Sequence, residues 1–348
     1  MISATIEACF FAPPPGPPNA EALRDYIESL RHWAEITNKS LAEVLVSRAT
    51  QDVLVTNNCY PIRDWLRKML VETSVMEYDA NTVARLVETL LSRAEVLEER
   101  VSITEILVDS LAIDPSITSK ARPADMQWET ERAAIMLAVI HSFAKSSQAR
   151  ASCLVTESKL DTNVAAVRCQ IPLIEHTRAD LAGLPVVPDY FSGTVPVGNT
   201  LAGCMLGLDE AAILCGARSI DDVLNAFRIA LCKYRSSSGQ AQSCLIFPTV
   251  GFNSHFLPCL QNCGVMQNVA LARSALRAMV ETVENIQMAK THPLRTGRGA
   301  NDPQVSRGGQ LAWRRDIDRQ YHLHYWHGAQ NILELACMVV HEDFHICL

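Results

Sequence analysis

Apolar residues recur at three- and four-residue steps through most of the first 150 positions, and that period predicts helices. Residues 2–11 read as one short strand, ended by the proline run Pro13–Pro18, a stiff spacer. Asn19 then caps a helix over 20–37, with Leu23, Ile27, Leu30, Trp33 and Ala34 on one face. Further helices are expected at 39–56, 60–76, 79–96, 101–112 and 124–147, with Asp79 and Pro123 near two of the starts. Residues 1–150 therefore read as a large, mainly α-helical domain.

The pattern changes over 151–239. Pro172, Pro185, Pro188 and Pro196 punctuate short β-favouring pieces at 164–167 and 194–197. Helical spacing returns over 208–234, interrupted by Gly216–Ser219. A helical hairpin is the plain reading, and a helix–turn–helix DNA reader gives the same pattern. Ser236-Ser-Ser-Gly239 has the composition of a flexible linker and sets the expected domain boundary. Beyond it come a strand at 243–247, a turn or short helix over 252–260 and an amphipathic helix over 269–289. A polar loop over 290–310 leads to a terminal hairpin. Its two alternating runs, 313–326 and 332–341, are joined by the turn 327–330. The whole is expected to be α+β, with residues 240–348 forming a small domain of helices packed on an antiparallel sheet.

Composition narrows the setting. With 348 residues, 48% of them hydrophobic and 20% charged, the chain is globular and long enough for more than one core. Its net charge of −7 is uneven: residues 243–348 carry +1 and residues 1–242 carry −8. The twelve cysteines show no C-x-x-C pair and sit mostly among apolar neighbours, as in a reducing compartment. No apolar stretch reaches spanning length, and Glu7 interrupts an N-terminus without a basic segment. Neither a membrane protein nor a secretory leader is expected, and a cytoplasmic location follows.

Candidate chemistry collects at the far end. Five of the ten histidines (His322, His324, His327, His341 and His345) lie in the last 36 residues. His322 and His324, two apart on a strand, share a face, while Tyr321, Leu323 and Tyr325 take the other. With His341 on the next strand they form a candidate acid–base set, since imidazole titrates near neutrality. Arg314, Arg315, Arg319, Arg307 and Arg298 are the candidate phosphate or RNA ligands, Arg314 and Arg315 foremost. A solvated arginine-rich loop beside polar sheet residues is the plainer alternative. A zinc site built on His322, His324 and His341, completed by His345 and Cys347 or Asp343, is another.

Trp313, Ile317, Leu323, Tyr325, Ala336 and Cys337 fall in step, without a gap, with the C-terminal signature of a known family. That signature runs Trp, two Arg, Ile four after the Trp, a strand of His/Arg-Leu-Val-Tyr type, a hairpin turn and a last strand bearing Ala-Cys. The tail thus resembles the RelE/ParE superfamily of bacterial toxins, especially its YoeB branch. Coverage is about the last 100 residues, and Asp302–Val305 resembles the family's Pro-Glu-Pro-Leu-like loop more loosely.

The resemblance implies ribosome-associated mRNA cleavage by attack of the ribose 2′-OH on the adjacent phosphate, with no metal or cofactor and with RNA or the ribosome as partner. The active-site positions depart from the family. Its catalytic strand arginine is His322 here, its terminal His-Tyr pair meets Val340-His341, and its acidic loop position falls at Pro303. Under this reading residues 1–240 restrain the toxin-like domain or dock a protein partner, in a toxin–antitoxin, stress-response or phage-defence setting. The competing reading is a non-catalytic subunit of a multi-protein complex that keeps the scaffold for protein binding. Convergence of His322, His324 and His341 with Arg314 or Arg315 in an open groove favours the nuclease, and their burial against the helical front favours the scaffold.

Overall fold

The computed structural model describes residues 1–181, 190–297, 299, 301–328 and 332–347. The chain divides into two compact units, Met1–Leu208 and Asp209–Leu348. The first runs β1 (Ile2–Ile6), α1 (Ala8–Phe11), α2 (Ala20–Asn38), β2 (Ala42–Val46), α3 (Thr50–Thr56), α4 (Arg63–Glu72), α5 (Ala80–Arg93), β3 (Glu95–Val96), α6 (Leu97–Val101) and β4 (Ile103–Asp114). It continues with α7 (Ala124–Phe143), α8 (Ser147–Arg150), β5 (Ser152–Val155), β6 (Val164–His176), β7 (Phe191–Gly198) and α9 (Leu201–Gly207).

The strands make one seven-stranded sheet in the order β3-β2-β1-β5-β7-β6-β4. It is parallel from β3 to β7 and antiparallel where β6 meets β7 and β4. Helices cover the sheet: α2 packs on β2, α9 on β5 and β7, and α7 on β4 to β7. The expected helical domain over 1–150 is thus corrected to part of an α/β unit. Its helices at 20–38, 63–72, 80–93 and 124–143 fall where the apolar period put them, but β2 and β4 occupy segments read as helix. Antiparallel β4, largely exposed, is held as a strand by its pairing with β6, while parallel β2 is a short, buried apolar run, which periodicity cannot separate from a buried helix. Helix α7 is that helix. Ala133–Ile140 is buried without interruption in a hydrophobic core shared with residues of β4 to β7.

The second unit runs α10 (Glu210–Cys215), α11 (Ile220–Ser237), β8 (Val250–Phe252), α12 (Phe256–Asn262), α13 (Val269–Val283), β9 (Thr291–Pro293), β10 (Ser306–Arg307), β11 (Gln310–Asp316), β12 (Tyr321–His327) and β13 (Leu333–Val340). Its sheet has the order β10-β11-β12-β13-β8, with β9 also on β11. Every pairing is antiparallel except β13 with β8. The unit begins at Asp209, and Ser236 and Ser237 close α11, so the serine-rich segment is a helix end within the unit. The strand expected at 243–247 is irregular chain after a short 3-10 turn, and a short strand follows at Val250–Phe252. The terminal hairpin forms as β12 and β13, extended by β11 into a three-stranded meander.

Candidate functional site

Strand alternation sorts the meander into two faces. Arg314 sits opposite His324, Asp316 opposite His322, and His292 of β9 opposite Arg314, so these five residues share a face. Arg315, opposite Leu323 and Thr291, points the other way toward α13. There it is fully buried and bonded to Glu281 Oε2 (3.2 Å), Ile286 O (2.5 Å), Gln287 O (3.2 Å) and Thr291 Oγ1 (3.2 Å). Arg315 is a core cation whose two terminal nitrogens are held by internal partners. Its expected place beside the histidines is corrected by the two-residue repeat of the strand.

On the first face His322 is 3% exposed, and its Nδ1 stands 3.1 Å from Asp316 Oδ1. The angle falls short of a hydrogen bond, so both ring nitrogens of this buried imidazole lack a bonded partner. Its ring lies 4.6 Å, centroid to centroid, from that of exposed His341. Asp316, half-exposed, also has His292 Nε2 at 3.9 Å from its other oxygen. Burial lowers the pKa of His322 while Asp316 works against that shift. Four titratable groups thus converge at one end of the meander, with half-buried Arg314 on the same face.

His324 is a different case. It is fully buried, 6.3 Å from His322 between centroids, and its Nδ1–H donates to His345 O (2.8 Å). Burial brings its pKa down to about 4, so it is a neutral imidazole at physiological pH. The residues after β13 fold back over this face. Cys347 O accepts from Trp326 Nε1–H (3.0 Å), Ile346 is buried beside Trp326 and Cys337, and the Phe344 ring lies 5.6 Å from the Arg314 guanidinium carbon. His324 is thereby tied to a structural carbonyl, and the expected acid–base trio is reduced to His322 and His341. The zinc alternative on His322, His324 and His341 does not assemble. Among the described residues no group of three or more His, Cys, Asp or Glu side chains is placed to hold a metal ion.

The remaining arginines separate. Arg307 pairs with Glu334 (2.7 Å) and stacks on Trp326 at 4.5 Å, so its charge is partly spent. Arg319 is exposed in the β11–β12 turn and makes no ion pair among the described residues. Arg298 lies outside the described residues. Sequence reasoning missed Asp316 and His292. Asp316 was legible as the partner of His322 once the register was known, whereas nothing local marks His292.

No helix among the described residues is long and apolar enough to cross a membrane. The two units are classes that strand order alone defines: a doubly wound α/β unit and an α+β unit with a mainly antiparallel sheet. Comparisons with protein-family models, with curated proteins and with solved structures find no match to this chain.

Proposed function

We propose that residues 240–348, within the Asp209–Leu348 unit, form a toxin-like RNA-binding domain that cleaves RNA without a metal, as the resemblance of about its last 100 residues to the RelE/ParE superfamily implies. The observation that supports this most is the His322–His341 pair, held beside Asp316 and on the face that carries Arg314. Transesterification needs a base to take the 2′-OH proton, an acid to protonate the leaving 5′ oxygen, and positive charge on the phosphate. Exposed His341 is the imidazole that meets RNA. His322 behind it, beside the Asp316 carboxylate, is the second proton carrier, and Arg314 with Arg319 holds the phosphate. The bacterial stress-response or defence role, the cytoplasmic location and a restraining or docking function for the 1–208 unit belong to the same proposal.

A second reading is favoured by the burial of His324 beneath residues 341–347 and by the internal pairing of Arg315 and Arg307. In it the unit is a protein-binding scaffold without activity. One experiment separates the two: full-length protein and its His341→Ala and His322→Ala forms are added to a translating extract containing a reporter mRNA, and in parallel to purified RNA with EDTA present. Cleavage that falls about 10²-fold or more in either variant supports the nuclease. RNA left intact both by the full-length wild type and by a folded 209–348 fragment, or equal cutting by all three full-length proteins, hands the case to the scaffold.

A further inference from the structure

In the Met1–Leu208 unit the strand order reverses between β1 and β5. From β1 the chain moves outward to β2 and β3 on one side, and after α7 it returns to β5 on the other. Segments that follow the carboxyl ends of two such strands diverge, and open α/β sheets take their ligands in the crevice between them. Here the crevice is a cavity of about 700 Å³, within the size range of small-molecule sites. Its walls come from residues 10–15 after β1, residues 157–159 after β5, Asn199 and Thr200 before α9, and one face of α2.

The walls differ in chemistry. Phe10, Pro14 and Tyr26 supply a ring-bearing apolar side, and the Tyr26 hydroxyl is already engaged in donating to Phe11 O (2.7 Å). Helix α2 contributes Asp25, Ser29 and His32, spaced by about one turn along the helix. His32 Nε2 accepts from the Leu201 N–H (3.2 Å), which places the ring proton on Nδ1. Arg122 is spent: it pairs with Glu157 (2.6 Å) and donates to Ala12 O and Pro13 O, tying the two loops together. Lys159 is the contrast, an exposed ammonium with no ion pair or hydrogen bond among the described residues. Asp25 is likewise unpaired.

We propose that this cavity binds a mononucleotide: its planar base against Phe10, Pro14 and Tyr26, its ribose hydroxyls at Asp25 and Ser29, and its phosphate at Lys159. A purely apolar ligand makes no use of exposed Asp25 and Lys159, which stay hydrated and add nothing to its binding. A sugar phosphate satisfies the polar groups but leaves the ring-bearing wall uncovered. A base, a diol and one anionic end match all three.

The test is calorimetric titration of the full-length protein with AMP, GMP, CMP and UMP and with the four nucleosides. At least one monophosphate should bind one per chain, more tightly than its nucleoside. Lys159→Ala should weaken the monophosphate about tenfold or more while leaving nucleoside affinity unchanged. Ser29→Trp, which fills a half-buried polar position in the wall, should abolish both. Thermal melts establish that each variant is folded, and exposed Lys159 carries the case if the tryptophan variant is not. The proposal is overturned if no mononucleotide binds, if binding is indifferent to both substitutions, or if only single-stranded RNA binds. These readouts are independent of whether the other unit cleaves RNA.

Discussion

Arg314 and Arg315 are neighbours in the chain and stand on opposite faces of β11, one beside the histidines and one in the core beneath α13. Their substitutions should therefore differ in kind. Arg315→Ala leaves the buried Glu281 carboxylate with only exposed Arg277, 3.9 Å away, and strips two carbonyls of a donor, so a loss of about 3 kcal/mol is expected. Arg314→Ala should stay within about 0.5 kcal/mol of the wild type in urea midpoint while weakening RNA retention. Equal midpoints for the two variants would refute the face assignment. At this scale the alternation of β12 was legible, and His322 and His324 do share a face. Unreadable was which face α13 would cover, because that depends on a packing partner more than thirty residues away. The role of His324 was equally hidden, since it depends on the carbonyl of His345 folding back onto it.

Elements whose ends carry their own chemistry were read well. Asn19 and Asp79 cap α2 and α5 through side-chain bonds to Ala22 N and Thr82 N, as their positions suggest. Helix α11 opens on a full capping box, Ser219 accepting from Asp222 N while the Asp222 carboxylate accepts from Ser219 N. Ser219→Ala should lower stability by about 1 kcal/mol in thermal or urea denaturation, and Ser219→Asn should restore most of it. An unchanged midpoint for the alanine form would show that the box adds nothing to the helix. Strands without such signals were misassigned. Ala42–Val46 is a run of apolar residues around one glutamate, and it becomes a strand because β1 and β3 flank it. The β12–β13 hairpin was recognisable by alternation. Its irregularity, in which His324 faces Cys337 and Tyr325 faces Leu335 so that Ala336 is unmatched, was not.

Across the whole molecule three buried groups set opposing pH dependences. Burial lowers His141 and His324 to about 4, so below about pH 6.5 the unfolded chain takes up protons that the folded one refuses. Their contribution is present above the unfolded value and is lost as pH falls toward 4. Glu7, at the end of β1, has the opposite sense. Burial raises it to about 8, with bonds from Thr50 and Ser47 opposing and Glu129 adding to the rise. Its contribution is complete below the unfolded carboxylate value and is lost as pH rises toward 8, by up to about 1.4 kcal/mol per pH unit. Stability should peak near about pH 6.5, and Glu7→Gln should flatten the alkaline limb and steepen the acid one, where ionisation of Glu7 in the unfolded chain opposes the two histidines. A wild-type curve that is flat between pH 6.5 and 8 would contradict the neutral state of Glu7.

What the chain determined by itself is local. The helix periods at 20–38, 63–72, 80–93 and 124–143, the capping residues and the alternation of the terminal hairpin act between residues a few positions apart, and they survive in the folded protein. Tertiary structure decided what depends on distant partners. It made 42–46 and 103–114 strands and placed β5 beside β1, and the crevice outside those two strands exists only because of that order. It also brought His341 against His322 and turned Arg315 inward. Such outcomes follow from which apolar faces bury one another over long sequence separations, and no local pattern encodes that pairing.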